Sequence, residues 1–80
     1  MIIEIVSPNS IKRDVQDKLD IYQEGGVKEY WIAYPSEKMI EVFLLEGDRY
    51  QLVKKYVEAD VVPVNSLPGL EIPLSRVFVS

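Results

Sequence analysis

The sequence predicts an α+β fold, and three observations carry that prediction. One stretch of apolar residues recurs at helical spacing, three aromatic or β-branched runs joined by short turns follow it, and the last segment is punctuated by prolines. One helix beside a small sheet is the architecture such a pattern makes.

The chain opens with Ile2-Ile3-Glu4-Ile5-Val6, a β-branched run that reads as a strand, and Ser7-Pro8-Asn9-Ser10 ends it with a proline stop and several residues suited to cap a helix. From Ile11 the apolar residues Ile11, Val15, Leu19 and Tyr22 are spaced by four, four and three, the stripe of an amphipathic helix over about residues 10–24. Gly25-Gly26 follows as its C-terminal stop, since a helix ends readily on a residue free to take positive φ. Tyr30-Trp31-Ile32-Ala33-Tyr34 then reads as a strand. Pro35-Ser36-Glu37-Lys38 turns the chain into a second, in which Ile40, Val42 and Leu44 alternate with Glu41 and Phe43. Glu46-Gly47-Asp48 makes the next turn. Residues 49–57 form a third strand, with Tyr50, Leu52, Lys54 and Tyr56 expected on one face and Gln51, Val53 and Lys55 on the other, completing an antiparallel three-stranded meander.

The tail carries Pro63, Pro68-Gly69 and Pro73, so it is expected to be irregular and to wrap the sheet, with Leu70 and Ile72 extended and Leu74 to Phe78 forming a final helical turn. No repeat or linker divides the chain, and residues 1–80 are expected to form one domain. A single helix covers one sheet face only. The other, which also carries aromatic residues, needs the tail or another chain over it, and homodimerisation is the expectation. A core this small is only modestly stable by itself, which points the same way.

Composition removes several chemistries. The chain has no cysteine and no histidine, which excludes thiolate nucleophiles, Cys/His zinc sites and imidazole acid–base catalysis and leaves carboxylates, lysine and metal. The apolar runs are far shorter than the roughly 20 residues of a membrane span, and Met1 is not followed by a basic leader, so a cytoplasmic protein without membrane partners is expected. A net charge of −4 creates no global attraction for nucleic acid, so any DNA contact is local. The basic residues Lys12, Arg13 and Lys18 share their segment with Asp14, Asp17 and Asp20, the pattern of a solvated mixed-charge helix face, and Lys54-Lys55 is a second small pair.

Two residues stand out as candidates. Glu4 interrupts an otherwise apolar strand, where a carboxylate is costly unless it is paired, metal-bound or at a wet edge. Lys18 lies roughly 55° from the centre of the helix stripe, close enough for its long stem to reach back toward Glu4. Lys12 flanks the stripe's other side at about 65°, and an ion pair of Lys18 with Asp14 one turn away is an equally good use of that lysine. Ser7 has neither a glycine elbow nor a histidine to activate it and reads as a helix cap. Gly25-Gly26 follows a helix, unlike a phosphate-binding loop, and Trp31 with its neighbouring tyrosines reads as core ahead of a base-stacking platform.

The run Ile3-Glu4-Ile5-Val6-Ser7-Pro8-Asn9-Ser10, followed by Asp14, Lys18-Leu19, Tyr22 and Gly26-Val27-Lys28-Glu29-Tyr30-Trp31, resembles the signature of the Uma-two family. The later Leu67-Pro68-Gly69-Leu70-Glu71-Ile72-Pro73-Leu74 resembles that family's closing segment. The family is similar to the PD-(D/E)xK nucleases, in which acidic residues hold Mg²⁺ and a lysine positions or polarises the attacking water. The resemblance therefore implies the C-terminal half of a restriction-endonuclease-like core, Mg²⁺ as cofactor and DNA as substrate. By the same resemblance Glu4 corresponds to an acidic metal ligand, Val6 stands where the usual lysine would be, and Lys18 matches the relocated lysine of this family. The family's other metal-binding Asp belongs to a strand N-terminal to this segment, and the chain begins at Met1 just before the Glu4 strand. An incomplete nuclease site is expected, and the alternative is a non-catalytic dimeric interaction module.

Overall fold

The computed structural model describes residues 1–6 and 12–78, with the side chains of residues 12–14 left aside. Six strands and two α-helices run in the order β1 (Ile2–Ile5), α1 (Lys12–Glu24), β2 (Glu29–Tyr34), β3 (Met39–Glu46), β4 (Arg49–Val57), β5 (Val61–Pro63), β6 (Glu71–Pro73) and α2 (Leu74–Val77). The helix and the three-stranded meander thus fall where the spacing predicts them. Ile11 and the turn at 7–10, including the Ser7 cap, lie outside the described residues. No helix among the described residues is long and apolar enough to cross a membrane.

The main sheet has the order β1-β2-β3-β4, with β1 parallel to β2 and the other pairs antiparallel. A parallel pair needs a crossover connection, and α1 supplies it. The helix ends as the two glycines require. Gly26 has a φ of 74°, while the amides of Gly25, Gly26 and Val27 donate to the carbonyls of Ile21, Gln23 and Tyr22 at 3.0, 3.2 and 3.1 Å. Between β2 and β3, residues 35–37 make a 3-10 turn that closes on Lys38, whose φ of 50° is unusual for a residue other than glycine.

Each face of the sheet has its own cover. On one, Tyr30, Phe43 and Tyr50 form an aromatic layer under α1. Tyr22 of the helix meets Tyr30 edge-on at 5.2 Å, and the Tyr50 amide donates to Gln23 Oε1 at 2.8 Å. On the other, Trp31, Ala33, Ile40, Val42 and Tyr56 pack with Val62, Val64, Leu74 and Phe78 of the tail. The tail therefore shields the second face, and a second copy is not needed for that purpose. It is also more regular than its prolines suggest, because β5 and β6 pair as an antiparallel ribbon.

One sequence expectation is corrected. Tyr50 and Tyr56 do not share a face, since Tyr50 stacks on Tyr30 under α1 and Tyr56 lies in the tail-side core. The register shifts at Val42/Phe43, where Val42 pairs with Lys54 and Phe43 with Leu52, leaving Val53 as the extra residue of a β-bulge. Lys54 stays with Tyr56, its ammonium 5.0 Å from that ring, and Leu52 goes with Tyr50. Strict alternation over nine residues is broken by that single insertion.

Candidate active site

Glu4 stands on β1 opposite Ile32 and faces α1, while Ile3 and Ile5 point to the tail side. Its carboxylate is about one-fifth exposed and receives the Lys18 ammonium directly, Nζ to Oε1. These two residues are fourteen positions apart in the chain and meet because α1 runs back over β1. Of the partners open to Lys18 in the sequence, the structure shows Glu4. The side chains of Lys12 and Asp14 are outside those described. Lys18 is about half exposed, so the ion pair contributes no more than about 1 kcal/mol to stability, too little to explain an acid in an apolar strand.

A second acid lies on the same face. The register carries Glu4 to Ile32, Ile32 to Glu41 and Glu41 to Lys55, one row across four strands. Glu41 accepts a hydrogen bond from the Tyr34 hydroxyl at 2.5 Å and has Lys55 Nζ at 3.8 Å. Burial, with the hydrogen bond and charge of Glu41, pushes the Tyr34 phenol well above its ordinary value. Two strand spacings separate the backbones of Glu4 and Glu41 by about 9–10 Å, and each carboxylate is engaged separately, Glu4 by Lys18 and Glu41 by Tyr34 and Lys55. No cluster of three or more metal-binding side chains occurs among the described residues.

Sequence reasoning passed over two further polar groups. Glu29 is 1% exposed, on the tail side, and gathers four donors: Trp31 Nε1 at 2.9 Å, the Asn65 and Ser66 amides at 3.0 and 2.7 Å, and Asn65 Nδ2 at 3.4 Å. Burial raises its pKa, and the hydrogen bonds from Ser66, Trp31 and Asn65 outweigh burial and hold the carboxyl below its ordinary range. Glu29 is a latch between β2 and the tail. An acid directly before an aromatic strand was its only signal in the sequence. Tyr30 is fully enclosed and its hydroxyl has no partner among the described residues. Burial first, then the charge of Glu4, pushes its phenol up to about 12. Tyr50 by contrast donates to the Val27 carbonyl at 2.6 Å.

Residues 1–75 match the sequence pattern of Uma2, described as "Putative restriction endonuclease". The chain belongs to the Uma2 family. No curated protein matches it. Among solved structures, this Uma2 chain is similar to a "putative nuclease belonging to DUF820" from Anabaena variabilis, at a TM-score of 0.70 and 22% identity over 95% of its residues. That likeness shows a shared α+β fold. The Uma2 chain spans 41% of the Anabaena protein's length, about two fifths of it.

Proposed function

We propose that this chain contributes Glu4 and Lys18 to a restriction-endonuclease-like site for Mg²⁺-dependent hydrolysis of a DNA phosphodiester. The observation that carries the reading is the meeting of Lys18 from α1 with Glu4 from β1, a cation and a hard oxygen donor placed together by the crossover. The donor chemistry fits Mg²⁺, which commonly binds through one or two protein carboxylates and otherwise keeps water. Glu4 would hold the ion, whose contribution is to neutralise phosphoryl charge and acidify a bound water. Lys18 would present its ammonium to the charge that develops on a phosphoryl oxygen, or orient the attacking water beside Glu4. In this reading the site is incomplete within the eighty residues, because no cluster of three metal-binding side chains forms among the described residues and Glu41 is already engaged by Tyr34 and Lys55. The test is nicking of supercoiled plasmid at low salt with Mg²⁺ or Mn²⁺ by the chain, Glu4→Gln and Lys18→Ala. Metal-dependent nicking lost in both variants supports a working site, and nicking equal in all three rejects these residues.

A second reading is a dimeric interaction module, favoured by the outer edge of β1. That strand pairs with β2 alone among the described residues, and Ile3 and Ile5 beside the edge are 46% and 70% exposed. They border an apolar cleft of about 360 Å³ that reaches Trp31, Ile40, Val77 and Phe78. A strand added to this edge by a second copy would cover both. A strictly monomeric species in light scattering at high concentration would reject it, and absence of nicking by the chain would make it the reading to pursue.

A further inference from the structure

One buried polar atom on the α1 side remains unexplained. The Tyr30 ring is held by Tyr22, Phe43 and Tyr50 at 5.2, 6.3 and 5.7 Å, and its enclosed hydroxyl has no protein partner among the described residues. Buried hydroxyls are nearly always satisfied by protein or by ordered water. The other two strand tyrosines on this face obey that rule, with Tyr34 bonded to Glu41 and Tyr50 to the Val27 carbonyl.

The register indicates what lies near the orphan. Tyr30 is opposite Ile2 and Glu4 is opposite Ile32, so Tyr30 and Glu4 are diagonal neighbours on one face, their backbones about 8 Å apart. Long side chains span most of that distance, and no direct hydrogen bond joins them. A buried hydroxyl without a protein partner and a carboxylate diagonal to it on one face are groups that one ordered water can bridge. Helix α1 roofs the place, since Tyr22 lies on Tyr30 and Lys18, one turn earlier, lies on Glu4.

We infer that Tyr30 is a positioning residue of the Glu4–Lys18 site, its hydroxyl donating through one ordered water to the Glu4 carboxylate and fixing the orientation in which that carboxylate meets a divalent cation. The inference rests on the reading of Glu4 as the metal ligand. Full enclosure keeps the hydroxyl from substrate, so it acts through Glu4, as outer hydrogen-bonding groups orient the ligands of metal sites.

Tyr30→Phe keeps the ring and removes one oxygen. Mn²⁺ binding, followed by electron paramagnetic resonance on the chain, Tyr30→Phe and Glu4→Gln, separates the outcomes. The expected result is an affinity about tenfold weaker in Tyr30→Phe and lost in Glu4→Gln. Unchanged affinity in Tyr30→Phe with loss in Glu4→Gln overturns the role of Tyr30 and leaves Glu4 as ligand. Unchanged affinity in both, or no binding by the unsubstituted chain, removes the metal reading and this inference with it. A second measurement needs no metal. Urea unfolding of Tyr30→Phe, Glu4→Gln and the double variant should be non-additive, because both substitutions break one bridge. Additive effects, or a Tyr30→Phe midpoint that is unchanged or raised as for an orphan hydroxyl, overturn the inference.

Discussion

Replacing Glu29 by glutamine tests whether one buried carboxylate ties the tail to the sheet. Oε2 takes Trp31 Nε1, the Asn65 amide and Asn65 Nδ2, while Oε1 takes the Ser66 amide at 2.7 Å. The best glutamine orientation leaves its oxygen with the first set and turns an NH₂ toward the Ser66 amide, setting donor against donor. One charge-assisted bond is lost, at about 1.5–3 kcal/mol, and the survivors become neutral ones, so the total cost is about 3 kcal/mol. For a chain of this size that lowers Tm by about 12–24 °C. Trp31 is the only tryptophan and donates its indole N–H to Glu29, so its fluorescence reports the latch directly during urea and thermal unfolding. The pH dependence has a definite sign. Because the folded carboxyl lies below its ordinary 4.5, its stabilisation is complete above that pH and is lost as pH falls through the lower folded value. Glu29→Gln should lack this acid-induced loss. A variant within 0.5 kcal/mol of the unsubstituted chain (~the scatter of a neutral surface substitution) at neutral pH would refute the latch.

Deleting Val53 should remove the β-bulge and leave Tyr50 and Tyr56 on their present faces, because Leu52 and Lys54 then follow one another opposite Phe43 and Val42, so the loss by urea unfolding should stay within about 1 kcal/mol. A loss of about 3–5 kcal/mol, the size of a truncated buried aromatic, would show that a tyrosine had been forced off its face and that Val53 is not the extra residue. Lys38→Gly should raise the unfolding free energy by about 0.5–1 kcal/mol, read as a higher urea midpoint, because glycine takes the φ of 50° without strain and the lost ion pair with Glu58, at 3.5 Å, is exposed. A lower midpoint would mean that Lys38 contributes more through the pair and the cleft wall than its backbone costs.

Much of this fold is legible from local pattern alone. The stripe Val15, Leu19 and Tyr22, the glycine stop and the turns at 35–38 and 46–48 delimit α1 and the meander because each depends on neighbours within a few residues. The runs Ile3 to Ser10, Gly26 to Trp31 and Leu67 to Leu74, with Asp14, Lys18-Leu19 and Tyr22 between the first two, together suggested the family. Glu4 was visible as a carboxylate in an apolar strand, and Lys18 as a lysine flanking the helix stripe. Their contact was one option among several, since a helix stripe does not say which strand lies beneath it. Tertiary structure decided the parallel pairing of β1 with β2, the tail's cover over Trp31, the bulge that parts Tyr50 from Tyr56, and the burial of Glu29 and the Tyr30 hydroxyl. The physical reason is common to these. Periodicity assigns a side chain to a face, whereas its partner, its burial and the register of its strand depend on segments tens of residues away, brought together only when both faces of the sheet are packed.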